Sequence, residues 1–281
     1  MVRPPVSRPI DVLHLGRDRV ICAYEVDGLI VDPGPASCVE TLIDRLGPVE
    51  PRGLLLTHIH LDHAGATGVL CKRYPKLKVY VHELGAPHLV DPSNLLKSAG
   101  RLYGDDMWEL WGEVAPVPEE RITLLSGGET VEGFRVAYTP GHASHHVSYL
   151  HEESGDAYVG DVAGVRIPPY PFTIAPTVPP EIDVEAWLDS LHTVACWNAQ
   201  TLALTHFGRI TEVTDHLHRM RMALVDAAER ARQKDEETFI ARMEEELLAH
   251  TDLATVECFE QAAPPNQLYM GLERYWRKKA E

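Results

Sequence analysis

Histidines and aspartates are concentrated in one short segment of this chain. Residues 57–65 read T-H-I-H-L-D-H-A-G and contain the pattern H-x-H-x-D-H. Imidazoles and carboxylates at such close spacing are typical of a metal site, because Zn, Fe and Mn all accept these ligands. In a turn, His58 and His60 can converge on one ion, while Asp62 and His63 point onward to a second. Without a thiolate in the segment, the choice among these metals stays open.

Three further polar residues lie where an expected strand meets a loop. His142 ends the sequence T-P-G-H, Asp161 follows a glycine in G-D, and His206 lies in L-T-H-F-G. Ligand sites in α/β proteins favour the carboxyl ends of strands. Together with the first segment, these residues complete two coordination shells. The predicted metal ligands are His58, His60, Asp62, His63, His142, Asp161 and His206.

The H-x-H-x-D-H motif and the three later ligand segments resemble those of the metallo-β-lactamase superfamily. The H-x-H-x-D-H pattern followed by Ala-Gly, and the later G-H, G-D and L-T-H-F-G segments, occur in the same order over roughly residues 10–210. The resemblance implies an α/β fold, a four-layer αββα sandwich with the metals at one edge of its two sheets. It also implies how the ligands divide: His58, His60 and His142 for metal 1, Asp62, His63 and His206 for metal 2, and Asp161 as a bridge between them.

The resemblance also assigns supporting roles. Asp32, in an Asp-Pro-Gly element, is expected to support the metal loop without being a ligand. Gly141 and Gly160 are expected to permit close approach of the backbone. His146 is expected to be structural, whereas His145 could face a substrate.

The expected mechanism follows from two divalent metal ions, with Zn favoured and Fe or Mn as alternatives. Two ions about 3.5–4 Å apart can hold a shared water as hydroxide and polarise a carbonyl or phosphoryl oxygen. Asp62 is the predicted catalytic residue, because its carboxylate could orient that water. No separate serine or cysteine nucleophile is then needed, and the chain lacks a G-x-S-x-G frame.

The sequence indicates the substrate less clearly than it indicates the metal ligands. The motif segments most resemble glyoxalase II-like bacterial thioesterases, but the sequence V-A-G-V-R-I-P-P after Asp161 does not contain their glutathione-binding pattern. We therefore expect a hydrolase of a small-molecule thioester, other ester or lactone. A mononuclear-iron sulfur dioxygenase-like oxidoreductase and a phosphodiesterase are the alternatives. Arg166, Tyr170 and Trp108 are the predicted substrate contacts; Tyr103, Trp111 and Phe172 are further candidates.

The surrounding pattern predicts the elements that position these residues. Short apolar runs bounded by turns predict strands, and they are listed here: Val20–Val26, Leu29–Val31, Gly53–Thr57, Lys78–Val81, Ile122–Leu125, Phe134–Tyr138, Val147–His151, Asp156–Val159 and Thr201–Thr205. We expect a catalytic domain over 1–210, because the motifs lie there. Helical spacing predicts a helical insertion in this domain at about 83–120 and a helical extension over 211–281. The apolar stripes of this extension fit either a cap over the site or a homodimer contact.

Composition narrows the function classes. The chain has 281 residues and a net charge of -16, which disfavours nucleic-acid partners. It has no apolar run of the roughly 20 residues that a membrane span needs and no recognisable secretory signal. Its five cysteines include no C-x-x-C pair, which argues against a disulfide framework. We therefore expect a cytoplasmic enzyme with a small-molecule substrate and no membrane partner.

Overall fold

Two six-stranded sheets form the centre of the molecule. The structure, a computed structural model, describes residues 7–233 and 235–281. The first sheet contains, in spatial order, β1 (Arg8–Asp11), β2 (Cys22–Val26), β3 (Leu29–Val31), β4 (Gly53–Leu55), β5 (Lys78–His82) and β6 (Ile122–Leu125). The second contains β12 (Gly208–Ile210), β11 (Thr201–Leu204), β10 (Asp156–Tyr158), β9 (Val147–His151), β8 (Phe134–Tyr138) and β7 (Thr130–Val131).

Strand direction brings several carboxyl ends to one edge. Strands β3 to β6 are mutually parallel, and β10 is parallel to β11. The other pairs are antiparallel. Consequently β4, β10 and β11 each lead into a loop that carries predicted ligands.

Alternate strand residues fill the space between the sheets. Tyr24 of β2 and Tyr149 of β9 are fully buried there. The Tyr24 hydroxyl donates to the Leu204 carbonyl at 2.7 Å, and the Tyr149 hydroxyl donates to the Leu56 carbonyl at 2.8 Å. Each buried hydroxyl thus finds its partner on the opposite sheet, which holds the ends of β4 and β11 at a set separation.

Helices cover the outer faces of the sheets. They are α1 (Val39–Leu46), α2 (Leu61–Ala64), α3 (Thr67–Arg73), α4 (Ala86–Val90), α5 (Ser93–Tyr103), α6 (Met107–Trp111), α7 (Val184–Cys196), α8 (Val213–Arg232), α9 (Glu236–His250), α10 (Leu253–Ala262) and α11 (Pro265–Ala280). Leu42 of α1, Leu70 of α3 and Trp187 of α7 are buried in the apolar cluster that includes the outward faces of the strands. The expected arrangement of two central sheets between helical layers is confirmed.

Short elements were the ones that the sequence did not predict. Strands β1, β7 and β12 have four, two and three residues, too few for a visible period, and their pairing depends on neighbours remote in sequence. Helix α10 was also missed, although Asp252 accepts a hydrogen bond from the backbone N–H of Thr255 at 2.8 Å. An aspartate capping a helix is a signal that sequence inspection could have found.

The C-terminal helices pack against the rest of the fold. Helix α8 lies against α7, and α11 lies against α8 and α9. The Thr177 hydroxyl donates to the Leu268 carbonyl of α11 at 3.0 Å.

In the described part of the chain, no helix is both long and apolar enough to cross a membrane. The division of the chain at residue 210 stays a prediction.

The approach of α11 to the loop at Thr177 predicts a sharp steric effect. A Cβ added at Gly271 would lie 1.9 Å from the Thr177 carbonyl oxygen. Gly271→Ala should therefore lower the free energy of unfolding by about 1–3 kcal/mol. Gly100→Ala on α5 is the control, since nothing lies within 4 Å of its added Cβ. Urea denaturation should show loss of stability in the first variant alone; equal midpoints would contradict this packing.

Candidate metal centre

All seven predicted ligands lie at strand ends that converge at one edge of the sandwich. The loop after β4 carries His58 and His60, and α2 follows it with Asp62 and His63. The remaining three, from loops after β8, β10 and β11, are His142, Asp161 and His206. The structure places the seven in two groups whose ligand atoms lie within 4.8 Å of one another in each group. The first group is His58, His60, His142 and Asp161, and the second is Asp62, His63 and His206.

In the first group, three imidazole rings surround one carboxylate oxygen. His142 Nε2 lies 2.9 Å from His60 Nδ1 and 3.2 Å from Asp161 Oδ2. His58 Nε2 lies 4.0 Å from the same oxygen. The rings of His58 and His142 have centroids 4.8 Å apart and are nearly perpendicular. These residues could hold one cation.

In the second group, two imidazole rings face the other oxygen of Asp161. His63 Nε2 lies 3.2 Å from Asp161 Oδ1, and His206 Nε2 lies 3.7 Å from it. His206 Nε2 also lies 3.2 Å from Asp62 Oδ2. Asp161 therefore presents one oxygen to each group, as a ligand shared between two cations would.

Hydrogen bonds from the far side of each ring orient the imidazoles. The Nδ1–H groups of His63, His142 and His206 donate to the Asp32 carboxylate, the Pro176 carbonyl and the Val20 carbonyl, at 2.8, 2.9 and 2.7 Å. With the proton on Nδ1, each Nε2 lone pair faces the centre. Such partners fix both ring orientation and tautomer in metal sites.

The Asp32 carboxylate is the common support of this region. It is fully buried and accepts hydrogen bonds from the Thr57 N–H, the Thr57 hydroxyl, His63 Nδ1 and the Thr205 hydroxyl, at 2.8, 2.7, 2.8 and 3.0 Å. Because the Thr57 proton is used on Asp32, its oxygen is free to accept from His58 Nδ1 at 3.1 Å. Asp32 thus contacts the loop through Thr57 and His63 and belongs to neither ligand group; its supporting role stays a prediction.

The turn that carries Asp161 is held from two helices. Trp187 Nε1 of α7 donates to the Val162 carbonyl at 2.8 Å, and His216 Nε2 of α8 donates to the Ala163 carbonyl at 2.8 Å. Gly160 has a φ of +46°, and a Cβ there would lie 2.5 Å from the Thr57 hydroxyl oxygen. No sequence pattern predicts this role for His216, because its partner is a backbone carbonyl remote in the chain.

The histidine pKa values of the two groups shift in opposite directions. Burial lowers the pKa of His58 and His60, and lowers the pKa of His142 to about 3. These three rings are therefore neutral at pH 7, and their lone pairs are ready to bind a cation.

In the second group, the histidine pKa values shift upward instead. Burial alone would lower the pKa of His63 and His206, but the Asp161 and Asp62 carboxylates outweigh it and raise both. In return, although burial opposes ionisation, the nearby histidines lower the pKa of Asp62 and Asp161. His63 and His206 therefore hold a proton more readily than the three histidines of the first group do.

The donor set fits divalent metal ions. Among the described residues, four buried atoms of the two groups have no hydrogen-bond partner, namely Nε2 of His58, His63 and His206 and Oδ1 of Asp161. Ligand atoms about 2.0–2.2 Å from a tetrahedral Zn lie about 3.3–3.6 Å apart, and several separations given above are close to this. Imidazole with carboxylate suits Zn, Fe and Mn alike.

A cavity of about 400 Å³ opens over both groups. His60, Asp62, Asp161 and His206 lie at its base. Its walls come from α5 and α6, from the proline-rich segment at 176–180, and from residues 260–267 around the end of α10. This volume is within the usual range for small-molecule sites.

The predicted substrate contacts lie outside this wall. Trp108 is 73% exposed on α6, and the Tyr170 hydroxyl donates to Asp252 at 3.1 Å. The backbone N–H of Arg166 donates to the His206 carbonyl at 2.6 Å, but Arg166 does not line the cavity. The cavity therefore gives these three predicted contacts no support. Of the further candidates, Tyr103 and Trp111 do line it.

Sequence inspection missed one wall residue of particular interest. His14, expected to be a surface or packing residue, lines the cavity and stacks on Trp111 with ring centroids 5.4 Å apart. His14 Nε2 donates to the Leu110 carbonyl at 2.9 Å, while its Nδ1 accepts from the Gln261 amide at 3.0 Å. His145 and His146 remain near the centre, with ring centroids 6.2 and 5.1 Å from that of His58.

Comparison with known proteins agrees with this geometry. A family model described as the metallo-β-lactamase superfamily matches residues 21–206. ST1585 of Sulfurisphaera tokodaii, a metallo-β-lactamase fold-containing protein, is 26% identical over 223 residues, which are 75% of this chain and 81% of that protein. Its crystal structure superposes with a TM-score of 0.67 at 23% identity, covering 97% of this chain and 99% of ST1585.

Two further matches are partial. A hydroxyacylglutathione hydrolase of a Synechococcus strain is 30% identical over 136 residues, 47% of this chain and 42% of that enzyme. The match thus covers less than half of either protein. The structure of TTHA1623 in a di-iron-bound form has a TM-score of 0.52 at 24% identity, covering 68% of this chain and 85% of TTHA1623; this likeness concerns the fold.

The hydrogen bonds of Asp32 predict its effect on metal binding. Asp32→Asn leaves one accepting oxygen and turns an amide N–H toward groups that themselves donate, so His63 should lose its orientation. We expect metal affinity of the second group to fall about 10–100-fold. Asp156→Asn is a matched control, because Asp156 is also buried but pairs with Arg209 and Thr201. Competition with a chromophoric chelator measures both; equal affinities in the two variants would contradict this role.

The opposite pKa shifts predict stepwise proton release. Filling the second group should displace more protons than filling the first, because the pKa values of His63 and His206 are raised while those of the first group's histidines are lowered. Between pH 6 and pH 8, affinity for the second equivalent should therefore rise more steeply than affinity for the first. Calorimetric titration in buffers of different ionisation enthalpy counts the protons. Identical pH slopes for both equivalents would contradict the assignment of charge.

Proposed function

The chain belongs to the metallo-β-lactamase superfamily, and on that premise we propose that it is a binuclear metallohydrolase that cleaves a thioester, or another ester or lactone, of a small molecule. One observation carries the proposal. The two oxygens of Asp161 face two ligand groups, and both groups open on the same cavity. A substrate in that cavity would meet both cations at once.

The ligand roles proposed here follow the two groups. His58, His60 and His142 would hold one divalent ion, and Asp62, His63 and His206 the other, with Asp161 shared. Bound there, divalent ions supply Lewis-acid polarisation of a carbonyl and a lowered pKa for water. Zn suits these donors, and the di-iron form of TTHA1623 makes iron the first alternative.

Asp62 is the proposed catalytic residue. Its side chain is 21% exposed, more than that of its neighbour His63, and it forms part of the cavity base. Because the neighbouring histidines hold its pKa below the ordinary value, Asp62 is a carboxylate at neutral pH. It can therefore accept a hydrogen bond from the attacking water and fix its direction toward the substrate carbonyl.

The cavity provides no competing protein nucleophile. Among the described residues, no cysteine lines it, and its serine, Ser98, lies on α5 without a hydrogen bond to a histidine. A nucleophilic serine needs an adjacent base. Water is therefore the nucleophile in the proposed reaction, and hydrolysis is its outcome.

The preference for a thioester rests on the partial relatives. The Synechococcus hydroxyacylglutathione hydrolase shares residues with nearly half of this chain, and that name describes a thioester hydrolase. A phosphodiester of nucleic acid is less compatible with a chain of net charge -16. The sulfur dioxygenase alternative would use the first group alone, although the second group is complete.

The first experiment combines metal analysis with a substrate panel. Protein purified without chelator is assayed for Zn, Fe and Mn and, in the same preparation, for hydrolysis of a thioester, a lactone and a phosphodiester. Two equivalents with turnover of thioester or lactone support the proposal. One equivalent of iron without hydrolysis would favour the dioxygenase, and turnover of the phosphodiester alone would favour the second alternative.

Removal of ligands predicts a coupled loss of metal and activity. His58→Ala and Asp161→Ala should each reduce bound metal and lower hydrolysis by more than about 100-fold. A loss of about 100-fold is the upper limit expected when a residue that only hydrogen-bonds to a ligand is removed. His192→Ala is the control, since this imidazole is exposed on α7. Unchanged turnover in either ligand variant would overturn the binuclear assignment.

A further inference from the structure

The charged groups around the cavity have one sign. Within residues 7–233 and 235–281, its wall contains the carboxylates of Asp62, Asp106, Asp161 and Glu260 and no lysine or arginine. Asp62 and Asp161 belong to the metal groups, so cations there would compensate them. Asp106 and Glu260 lie beyond the metal groups, and the cavity lining contains no basic side chain to compensate them.

The histidine in the upper wall does not supply a positive charge. His14 Nε2–H donates to the Leu110 carbonyl, and its Nδ1 accepts from Gln261. The amide nitrogen of Gln261 also donates to the His14 carbonyl at 2.9 Å, which fixes the direction of the amide. Burial lowers the pKa of His14, so the ring is neutral at pH 7.

The neighbouring arginines are engaged elsewhere. Arg17 pairs with Glu257 at 2.8 Å, and Arg19 donates to the Pro168 carbonyl at 2.8 Å. Arg274 donates to the carbonyl of Pro180, a wall residue, at 3.0 Å, but is not part of the wall itself. A carboxylate or phosphate on a substrate would therefore meet no cationic side chain beyond the metal groups.

The rest of the wall is largely apolar. Leu95, Ala99 and Leu102 lie at i, i+4 and i+7 on α5 and line the cavity, as expected for one face of a helix. Helix α5 has no fully buried residue. Pro176 and Val178 add apolar surface from the proline-rich segment.

We propose that this cavity selects substrates with an apolar acyl group and a leaving group that carries no net negative charge, and that it discriminates against thioesters of glutathione. An S-substituted glutathione carries two carboxylates and one ammonium, and hence a net negative charge. Its carboxylates would meet a wall whose acidic side chains beyond the metal groups are Asp106 and Glu260, and like charges in contact disfavour a partner. The inference rests on the proposed hydrolase function, but it concerns binding and is tested without turnover.

Two non-hydrolysable thioethers with the same alkyl chain provide the test. S-hexyl-N-acetylcysteamine is neutral, and S-hexylglutathione is anionic. Binding to the metal-loaded protein is measured by calorimetry and by the intrinsic tryptophan fluorescence, to which Trp111 in the cavity wall contributes. The neutral compound should bind at least about tenfold more tightly, a factor that corresponds to about 1.4 kcal/mol. Equal or tighter binding of the glutathione compound, or no binding of the neutral one, would overturn the proposal.

A charge reversal makes the test specific to the wall. Glu260 is exposed at the surface of α10, so Glu260→Lys should fold. It should tighten S-hexylglutathione binding several-fold and leave the neutral compound unchanged. Glu245→Lys on α9 makes the same change in net charge at an exposed position that does not line the cavity. If Glu245→Lys tightened binding as much, net charge and not the wall would set the preference, and the proposal would fail.

Hydrolysis assays separate this inference from the function on which it rests. The corresponding hexanoyl thioesters of N-acetylcysteamine and glutathione are compared in the same protein. If neither is cleaved while the neutral thioether binds preferentially, thioester hydrolysis is wrong and the selectivity stands. If the glutathione thioester has the higher kcat/KM, the selectivity is wrong and the hydrolase stands.

Discussion

The buried carboxylate of Asp32 joins the two sheets at the point where the ligand residues lie. Its oxygens accept from Thr57, which follows β4 of the first sheet, and from Thr205, which follows β11 of the second. A buried anion is stable only when donors surround it, so the sheets must keep the separation that lets all of these bonds form. The same carboxylate orients His63. The position of one sheet against the other and the geometry of the metal groups are thus parts of one arrangement.

The cavity depends on parts of the chain that the ligand motifs do not include. Helices α5 and α6, the segment at 176–180 and the end of α10 each contribute a wall. The hydrogen bond from Thr177 to Leu268 and the close approach at Gly271 hold the last helix against the proline-rich segment. The C-terminal helices therefore shape the space above the centre, and the same family fold can accept different substrates when such segments change.

The base and the upper wall of the cavity differ in their charged groups. At the base, acidic and imidazole groups lie in contact and form the two groups that could hold divalent cations. In the upper wall, the lining carboxylates have no lysine or arginine beside them, and burial favours the neutral form of His14 by lowering its pKa. The base is suited to polarising a carbonyl, whereas the walls are suited to an apolar group. Binding at the walls and chemistry at the base can therefore change independently.

The sequence by itself determined the donor types and most of the longer elements. The spacing of His58, His60, Asp62 and His63 is local, so their convergence follows from the backbone of one turn after a strand. What the sequence could not show is which remote groups face that turn. The Val20 and Pro176 carbonyls that orient His206 and His142 have no residue-type signature, and His14 enters the wall only because α6 and α10 meet there.

Arg166, Tyr170 and Trp108 have the right chemistry for substrate contacts and lie in the expected segments, yet tertiary packing turns them away from the cavity wall. Short-range spacing encodes which groups a turn can present. The direction of a side chain on a loop depends on contacts made across hundreds of residues of sequence separation, such as the one between His14 and Gln261, and these exist only once the chain has folded.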